Sequence, residues 1–315
     1  MASRAAGNSH RSSCRRAWTH SKPLRALGEK NAHVDKDAWL PEFSPRPFRR
    51  HAPKSADHPV RDGERTPGKV AIFSTCFVNY NEPGIAHDLT KILDHNRIPF
   101  VTISGESCCG MPKLEQGDLE GVDALKRNNI PKLAKLAREG YAIVTPVPSC
   151  TLMFKQELPL MYPHEEDVIA VRDAMFDPFE YLMARRRDGL LQTDFPKSLG
   201  KVAYHVPCHS RVQKIGLKTK EALESVPGTE VTVIERCSGH AGTYGVKEEF
   251  HDAALKIGRA VFRQVLEAQP AYYASDCALA GHHIEDGLAT VDPAAPKPER
   301  KHPITLIRMA YGLPD

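Results

Sequence analysis

The amino-acid sequence predicts an α/β protein made of two tandem repeats of a cysteine-rich βαβ module with parallel sheets, preceded by a largely unstructured N-terminal arm. Three observations support this fold class. From Gly68 onward, short β-branched strand patterns alternate with amphipathic helical patterns, which is typical of parallel sheets. A strand and the cysteines that follow it recur in the second half of the chain. The segment before Gly68 shows neither a helical nor a strand periodicity.

The N-terminal arm, residues 1–66, is rich in Arg, Ser, His and Pro, and we predict that it is disordered or irregular. Within it, the segment Asp37–Arg50 carries aromatic residues among prolines and could dock on the main body. Cys14 has no second cysteine at metal-ligand spacing, so we interpret it as a bystander thiol.

The first cysteine-rich repeat is predicted over residues 67–155. Runs of β-branched and aromatic residues indicate buried strands, and apolar residues at helical spacing indicate the helices between them. The expected elements are a strand at Val70–Ser74, a helix at Gly84–His95, a strand at Phe100–Ile103, one or two helices at Leu119–Arg138 and a strand at Ala142–Val147.

An internal duplication predicts the second cysteine-rich repeat over residues 200–292. The segment Gly68–Ala71 recurs as Gly200–Ala203, and a cysteine follows each copy after four further positions. Offsets of 132, 129 and 127 relate three cysteine pairs, namely Cys76 and Cys208, Cys108 and Cys237, and Cys150 and Cys277. Because the offset changes so little, duplication explains the pattern better than chance similarity of one strand.

Two segments lie outside the repeats. Residues 156–199 are interpreted as a connecting segment with a helix at Pro178–Arg187. Residues 293–315 are interpreted as a proline-rich spacer and a closing helix at His302–Tyr311, in which Pro303 marks the first turn.

Composition narrows the classes of function. The formal net charge is +4, and the basic excess within residues 1–65 lacks the interleaved aromatic side chains of a nucleic-acid groove, so no nucleic-acid partner is expected. No stretch reaches the ~20 apolar residues of a transmembrane helix, and the N-terminus lacks the apolar core of a secretory signal, so we expect a cytoplasmic protein. Eight cysteines in that compartment indicate metal binding or redox chemistry rather than structural disulfides.

The cysteines follow the predicted strands, where an open α/β sheet has its binding crevice. Iron–sulfur clusters are commonly held by four thiolates, and the first half offers Cys76, Cys108, Cys109 and Cys150. The adjacent pair is followed by Gly110, which favours a tight turn that directs both sulfurs toward one centre.

Other interpretations of the same residues are less well supported by the sequence. Structural zinc usually uses close C-x2–4-C pairs, which the sequence lacks. The spacing of Gly239, Gly242 and Gly245 is not that of a dinucleotide-binding loop. Cys208 and His209 are adjacent, and adjacent residues rarely form a nucleophile–base pair. Any single cysteine could also be a buried core thiol.

Histidines flank the second-half cysteines, and one of them could complete a site because imidazole can replace thiolate on iron. We favour a structural role in orienting loops or donating to a cluster sulfur. The residues concerned are His205, His209, His240, His282 and His283.

Five ordered motifs across residues 68–311 resemble the cysteine-rich "CCG" domain family, whose members include iron–sulfur subunits of anaerobic glycerol-3-phosphate dehydrogenase, heterodisulfide reductase, and glycolate and lactate oxidation. The motifs are Ser74–Asn81, Cys108–Pro112, Tyr204–His209, Cys237–Gly245 and His302–Leu306.

The resemblance implies two cluster sites, with one 4Fe-4S cluster expected and a second left open. It assigns Cys76, Cys108, Cys109 and Cys150 to the first site and Cys208, Cys237 and Cys277 to the second. Three positions depart from the family pattern, because Ser238 replaces the second cysteine of the doublet and Met153 and Ala280 stand where a last cysteine is expected.

The resemblance also implies an electron-transfer subunit that relays electrons from a dehydrogenase of glycerol-3-phosphate or 2-hydroxy-acid type to a quinone or ferredoxin-like acceptor. An implied partner is a dehydrogenase or flavoprotein subunit, which would bring the chain to the inner face of the membrane. Residues 1–66 lack a ferredoxin-type cysteine run, which implies either a separate ferredoxin-like partner or an N-terminal region that is shortened or aberrant. Alternatives are a heterodisulfide-reductase-like thiol–disulfide reductase and a non-catalytic assembly scaffold.

Overall fold

A computed structural model describes residues 21–315 and contains two four-stranded parallel sheets. The first has the strand order β2-β1-β3-β4 and the second the order β6-β5-β7-β8. The strands are β1 Val70–Ile72, β2 Phe100–Thr102, β3 Ala142–Val144, β4 Met175–Phe176, β5 Gly200–His205, β6 Thr229–Ile234, β7 Tyr272–Ser275 and β8 Glu299–Arg300. The identical strand order confirms the predicted fold class.

The strand register supports the duplication independently of the cysteines. Val70 pairs with Phe100 and Ala142, whereas Val202 pairs with Val231 and Tyr272. The offsets between these equivalent positions are 132, 131 and 130, and like the cysteine offsets they decrease slightly along the chain.

Helices of very unequal length connect the strands. The helix predicted over Leu119–Arg138 is a single helix, although it contains Pro131, and Asp118 caps its start by accepting a hydrogen bond from the Gly121 amide. The α-helices are Lys22–Ala32, Phe48–His51, Cys76–Tyr80, Pro83–His95, Met111–Leu114, Leu119–Arg138, Pro148–Leu152, Leu158–Met161, Glu166–Ala174, Pro178–Arg187, Cys208–Arg211, Lys218–Glu224, His251–Glu267, Ala278–Val291 and Pro303–Ala310. A short π-helix spans Met153–Glu157 and a short 3-10 helix spans Tyr244–Val246.

Both sheets extend beyond the repeat boundaries predicted from the sequence. Strand β4 lies in the segment 156–199 that was interpreted as a connection, and β8 lies in the spacer 293–315. Each has only two residues and pairs in parallel with the third strand of its sheet. Two residues are too few for a periodic pattern, so pairing with β3 or β7, rather than local sequence, defines these strands.

The N-terminal arm contains the helix Lys22–Ala32, which the sequence pattern did not predict. The docking predicted for Asp37–Arg50 is present, because Trp39 stacks on His282 with ring centroids 3.6 Å apart and Phe48 is completely buried. Cys14 lies outside the described residues.

The two halves share one core through an exchange of helices. Pro178–Arg187, after β4, packs against Lys218–Glu224 of the second half. Pro303–Ala310, after β8, packs against Pro83–His95 of the first half. A buried ion pair of 3.2 Å between Arg308 Nε and Asp88 Oδ1 joins this second pair of helices. The final helix of each half thus completes the core of the other.

Across residues 21–315, the helices are all too short or too polar to cross a lipid bilayer.

Candidate metal centre

The four first-half cysteines lie at the carboxyl end of the first sheet. Cys76 begins the helix after β1, the pair Cys108 and Cys109 lies in the loop after β2, and Cys150 lies in the short helix after β3. The thiols of Cys76 and Cys108, of Cys108 and Cys109, and of Cys109 and Cys150 lie near enough to each other to shift the pKa values of the group. Three strand ends therefore deliver four thiols to one place.

The thiols of this group differ in acidity. Interaction with the thiol of Cys109, and then with that of Cys76, lowers the pKa of Cys108. The same contacts and burial raise the pKa of Cys76 and of Cys109. Cys109 and Cys150 are buried, whereas Cys76 is at the surface. A group of four thiols is suited to binding a soft metal.

A glycine makes the doublet turn possible. Gly110 has φ 104°, in the left-handed region that favours glycine, and it directly follows Cys109. A Cβ at Gly110 would lie 3.3 Å from Cε of Met153, which is completely buried. The methionine at the position where the family pattern expects a last cysteine is therefore beside the doublet.

A buried carboxylate, which sequence reasoning missed, connects two of the cysteine loops. Glu106 accepts hydrogen bonds from the Ser74 amide (3.1 Å) and from the Ser74 hydroxyl (2.7 Å), two positions before Cys76. Arg49 of the N-terminal arm donates to the Glu106 carbonyl at 2.9 Å. Burial raises the pKa of Glu106 to about 7, while Ser74 and Arg49 act in the opposite direction. No sequence motif distinguishes this glutamate.

Further contacts hold the loops in place. Asn129 accepts from the Ser107 amide and donates to the Cys108 carbonyl, both at 2.9 Å. Thr75 has φ 66°, which is unfavourable for a β-branched residue, and its hydroxyl accepts from the Val78 amide. Surrounding contacts must stabilise such a conformation, and strain of this kind clusters at functional sites.

We expect Glu106→Ala to destabilise the loops of the first site. The buried Ser74 amide would lose its acceptor, which costs about 1–3 kcal/mol. Iron should leave the anaerobically purified variant faster under a chelator, and its midpoint of thermal unfolding should fall. Glu139→Ala is the control, because Glu139 is an exposed glutamate. Equal rates of iron release in both variants would contradict a role for Glu106.

The second-half cysteines occupy the equivalent strand ends. Cys208 begins the helix after β5, Cys237 follows β6, and Cys277 caps the helix after β7. Burial raises the pKa of Cys277 to about 11, the Ala280 amide lowers it, and the charge of nearby Cys208 raises it further. Cys208 and Cys237 are exposed.

The doublet turn is also repeated, with serine in place of the second cysteine. Gly239 has φ 85°, like Gly110 in the first half, and it follows the buried Ser238. A Cβ at Gly239 would lie 2.0 Å from the Ala254 carbonyl oxygen, so only glycine fits there. Ser238 therefore has the backbone position of Cys109 but supplies a hydroxyl.

The histidines near the second site differ in their contacts. His205 uses both ring nitrogens, with Ser275 Oγ at 3.0 Å and the Arg236 carbonyl at 3.1 Å, which suits the structural role favoured from sequence. His282 contacts the Glu82 carboxylate at 2.5 Å. In the described part of the chain, Nε2 of His240 and of His283 are buried without a hydrogen-bond partner. His209 lies 3.9 Å from Glu115 of the first half.

The available donor atoms determine which kind of metal centre each site can hold. Within residues 21–315, no three Cys, His, Asp or Glu side chains converge closely enough for a single metal ion. A cluster of several irons spaces its thiolates more widely than one ion does. The first site offers four sulfur donors that interact pairwise without converging on one point, which fits the common four-thiolate ligation of a cluster. The second site offers three.

Each half of the chain has a parallel sheet with thiols at its carboxyl end. This arrangement defines a protein that holds a metal–sulfur centre. The cysteine-rich domain (CCG) family matches residues 70–155 and 202–285, which is more than half of the chain. The chain belongs to this family, and its cofactor is an iron–sulfur cluster.

Three relatives show the range of the family. A subunit of the anaerobic glycerol-3-phosphate dehydrogenase of Escherichia coli is 30% identical over 296 residues, 93% of this chain and 71% of that one. An iron–sulfur protein of Methanocaldococcus jannaschii is 28% identical over 222 residues, 70% and 42% of the two chains. A subunit of the dihydromethanophenazine:CoB–CoM heterodisulfide reductase of Methanosarcina barkeri is 24% identical over 234 residues, 69% and 54%. Relatives thus include subunits of dehydrogenase and reductase complexes.

Proposed function

We propose that this protein is the electron-transfer subunit of an oxidoreductase complex. The observation that carries the proposal is the proximity of four thiols, from three strand ends, at the first site. An iron–sulfur cluster supplies one-electron transfer when bound. The contribution of the chain is to hold the four thiols at one place and to shield one side of the site, where Cys109 and Cys150 are buried.

The proposed ligands of the first cluster, of 4Fe-4S type, are Cys76, Cys108, Cys109 and Cys150. The buried pair Cys109 and Cys150 would hold its inner side, and Cys76 its outer side. In the second half, Cys208, Cys237 and Cys277 would bind a second cluster that is short of one thiolate.

The proposed partners are a dehydrogenase or flavoprotein subunit, which acts as electron donor, and a quinone or ferredoxin-like protein as acceptor. Two facts support this: the relative from Escherichia coli is named as a subunit of glycerol-3-phosphate dehydrogenase, and three of the proposed ligands are exposed. Exposed ligands allow a partner to approach closely. A membrane-bound partner would bring the chain to the inner face of the membrane.

A second candidate function is thiol–disulfide reduction assisted by a cluster. The similarity to a heterodisulfide reductase subunit favours it over the scaffold interpretation. Reduced protein that turns over a disulfide substrate without any dehydrogenase partner would support this candidate. Electron uptake from a dehydrogenase without disulfide turnover would support the first.

Anaerobic purification with iron and sulfide analysis tests the proposal. We expect brown protein with about four irons in the first half, since four thiolates commonly hold one 4Fe-4S cluster. After addition of a chemical reductant, the electron paramagnetic resonance spectrum should be that of a cluster reduced by one electron. Colourless protein with stoichiometric zinc after anaerobic reconstitution would overturn the proposal, and protein without any metal would favour a scaffold.

We expect Cys14→Ser to leave the metal content unchanged, because Cys14 lies outside both repeats and has no cysteine at ligand spacing. Iron and sulfide per chain should equal those of the wild type. Cys150→Ser is the matched comparison, and it should lower both. Loss of iron from the Cys14 variant would show that the N-terminal arm donates a ligand.

A further inference from the structure

The short helix Phe48–His51 of the N-terminal arm occupies a site in the first half of the protein. It packs against the helices Cys76–Tyr80 and Pro83–His95. The side chain of Phe48 is completely buried, and its ring forms a T-shaped pair with the ring of His87. The arm therefore supplies an aromatic side chain to this pair of helices.

Arg49 makes the polar contacts of the same site. Its backbone amide donates to Oδ1 of Asn79 at 2.8 Å. Its guanidinium donates to the Glu106 carbonyl at 2.9 Å and lies 3.6 Å from the Glu106 carboxylate. The site thus holds a segment in which an aromatic residue is followed by an arginine.

The second half contains counterparts of the residues that hold the arm. The cysteine offsets of 132 and 129 relate Asn79 to Arg211, His87 to Thr219, and Glu106 to Glu235. All three counterparts line one cavity of about 340 Å³. The cavity lies beside the helices Cys208–Arg211 and Lys218–Glu224, which correspond to the two helices that the arm contacts. None of residues 21–66 lines it, so the described part of the arm leaves this second copy of the site open.

The second copy has kept its carboxylate but not the groups that bind it. Glu235 is exposed and forms no ion pair with any residue in the range 21–315. Val206 stands at the position of Ser74, whose hydroxyl donates to Glu106 in the first half. The guanidinium of Arg211 donates to the backbone carbonyl of Glu235, at 3.4 Å, rather than to its carboxylate. A basic residue from another chain can therefore pair with Glu235.

We propose that this cavity docks a segment of the partner subunit in which an aromatic residue is followed by a basic one. The aromatic side chain enters the cavity as Phe48 enters its own site, and the basic residue pairs with Glu235. The proposal rests on the proposed function, which requires an electron-donating partner. Cys208 begins a helix beside the cavity and Cys237 lies two positions after Glu235, and both are exposed, so docking brings the partner to the second thiol group.

A labelled synthetic peptide with the sequence Pro41–Ala52 tests the proposal by fluorescence anisotropy on the anaerobically purified protein. The arm of the chain occupies the first site, so the added peptide reports on the second. We expect saturable binding at millimolar concentration or below. Phe48→Ala in the peptide should weaken binding at least tenfold because the buried aromatic anchor is lost. Phe43→Ala in the peptide, which changes an aromatic residue of the same segment, should not.

A pair of variants of the protein locates the binding. Glu235→Arg replaces attraction for the basic residue by repulsion and should weaken peptide binding at least tenfold. Glu230→Arg is the control, because Glu230 is an exposed glutamate of strand β6, which ends just before Glu235, and it carries the same change of charge. Absence of binding, or equal binding by the two protein variants or by the two altered peptides, would overturn the proposal.

Two further measurements identify the occupant. Saturating peptide should slow electron uptake from the dehydrogenase at least tenfold and leave reduction by a small chemical reductant unchanged. Uptake that the peptide does not slow would overturn the assignment to the partner, as would a dimer of the protein alone that Glu235→Arg dissociates in sedimentation. Iron and sulfide analysis tests the proposed function separately, because peptide binding requires no cluster.

Discussion

Replacing Cys109 with serine is expected to remove stable iron from the first half of the protein. Cys109 is 5% exposed and its thiol lies near those of both Cys108 and Cys150, so it is in the middle of the thiol group. A serine oxygen is a harder and poorer ligand for iron than a thiolate. Iron per chain should fall by about four, the usual content of one cluster, or become freely exchangeable with a chelator.

The duplication supplies the reciprocal substitution. Ser238 has the backbone position of Cys109, directly before a glycine with positive φ. Ser238→Cys should therefore increase iron retention in the second half or change its electron paramagnetic resonance spectrum. Both variants are compared with wild type by iron analysis and by that spectrum. Unchanged values in both would mean that the doublet is not a ligand pair.

The second large effect is expected from Phe48→Ala in the N-terminal arm. Phe48 is completely buried in the core shared by both halves. Its ring forms a T-shaped pair with the ring of His87, with the centroids 5.0 Å apart. Removing a buried phenylalanine costs about 3–5 kcal/mol through lost transfer free energy and the cavity left behind. The midpoint of anaerobic thermal unfolding should fall by several degrees.

The matched control is Phe43→Ala, because Phe43 lies in the same segment but is 36% exposed. Its effect should be below about 1 kcal/mol. Iron retention should also decrease in the Phe48 variant, since the adjacent Arg49 contacts Glu106 near the first thiol group. Equal unfolding midpoints for the two variants would contradict the anchoring role of the arm.

The two halves have kept the same backbone while their chemistry has diverged. Strand order, register and the glycine turn are repeated, yet one half gathers four thiols and the other offers three with a buried serine. Backbone geometry is maintained by sheet pairing and packing, which tolerate serine in place of cysteine. Metal affinity depends on each donor atom, so the same replacement alters the metal site strongly.

The sequence by itself determined the fold class, the duplication and the position of the cysteines after the strands. The duplication is recognised by comparing the two halves of the sequence, and the other features depend on local patterns: β-branched runs for the strands, apolar spacing for the helix predicted at Gly84–His95, and a glycine after the doublet for the turn at Gly110. Local patterns reflect interactions between residues close in the chain. They can therefore be recognised without knowing what packs against them.

The tertiary structure alone decided the contacts between distant segments. Strands β4 and β8 exist because β3 and β7 pair with them, and Glu106 matters because folding brings it against Ser74. The exchanged final helices depend likewise on residues far apart in sequence. A hydrogen bond or a packing contact of this kind leaves no periodic trace in either partner, because its free energy depends on the complementary group that folding places opposite it.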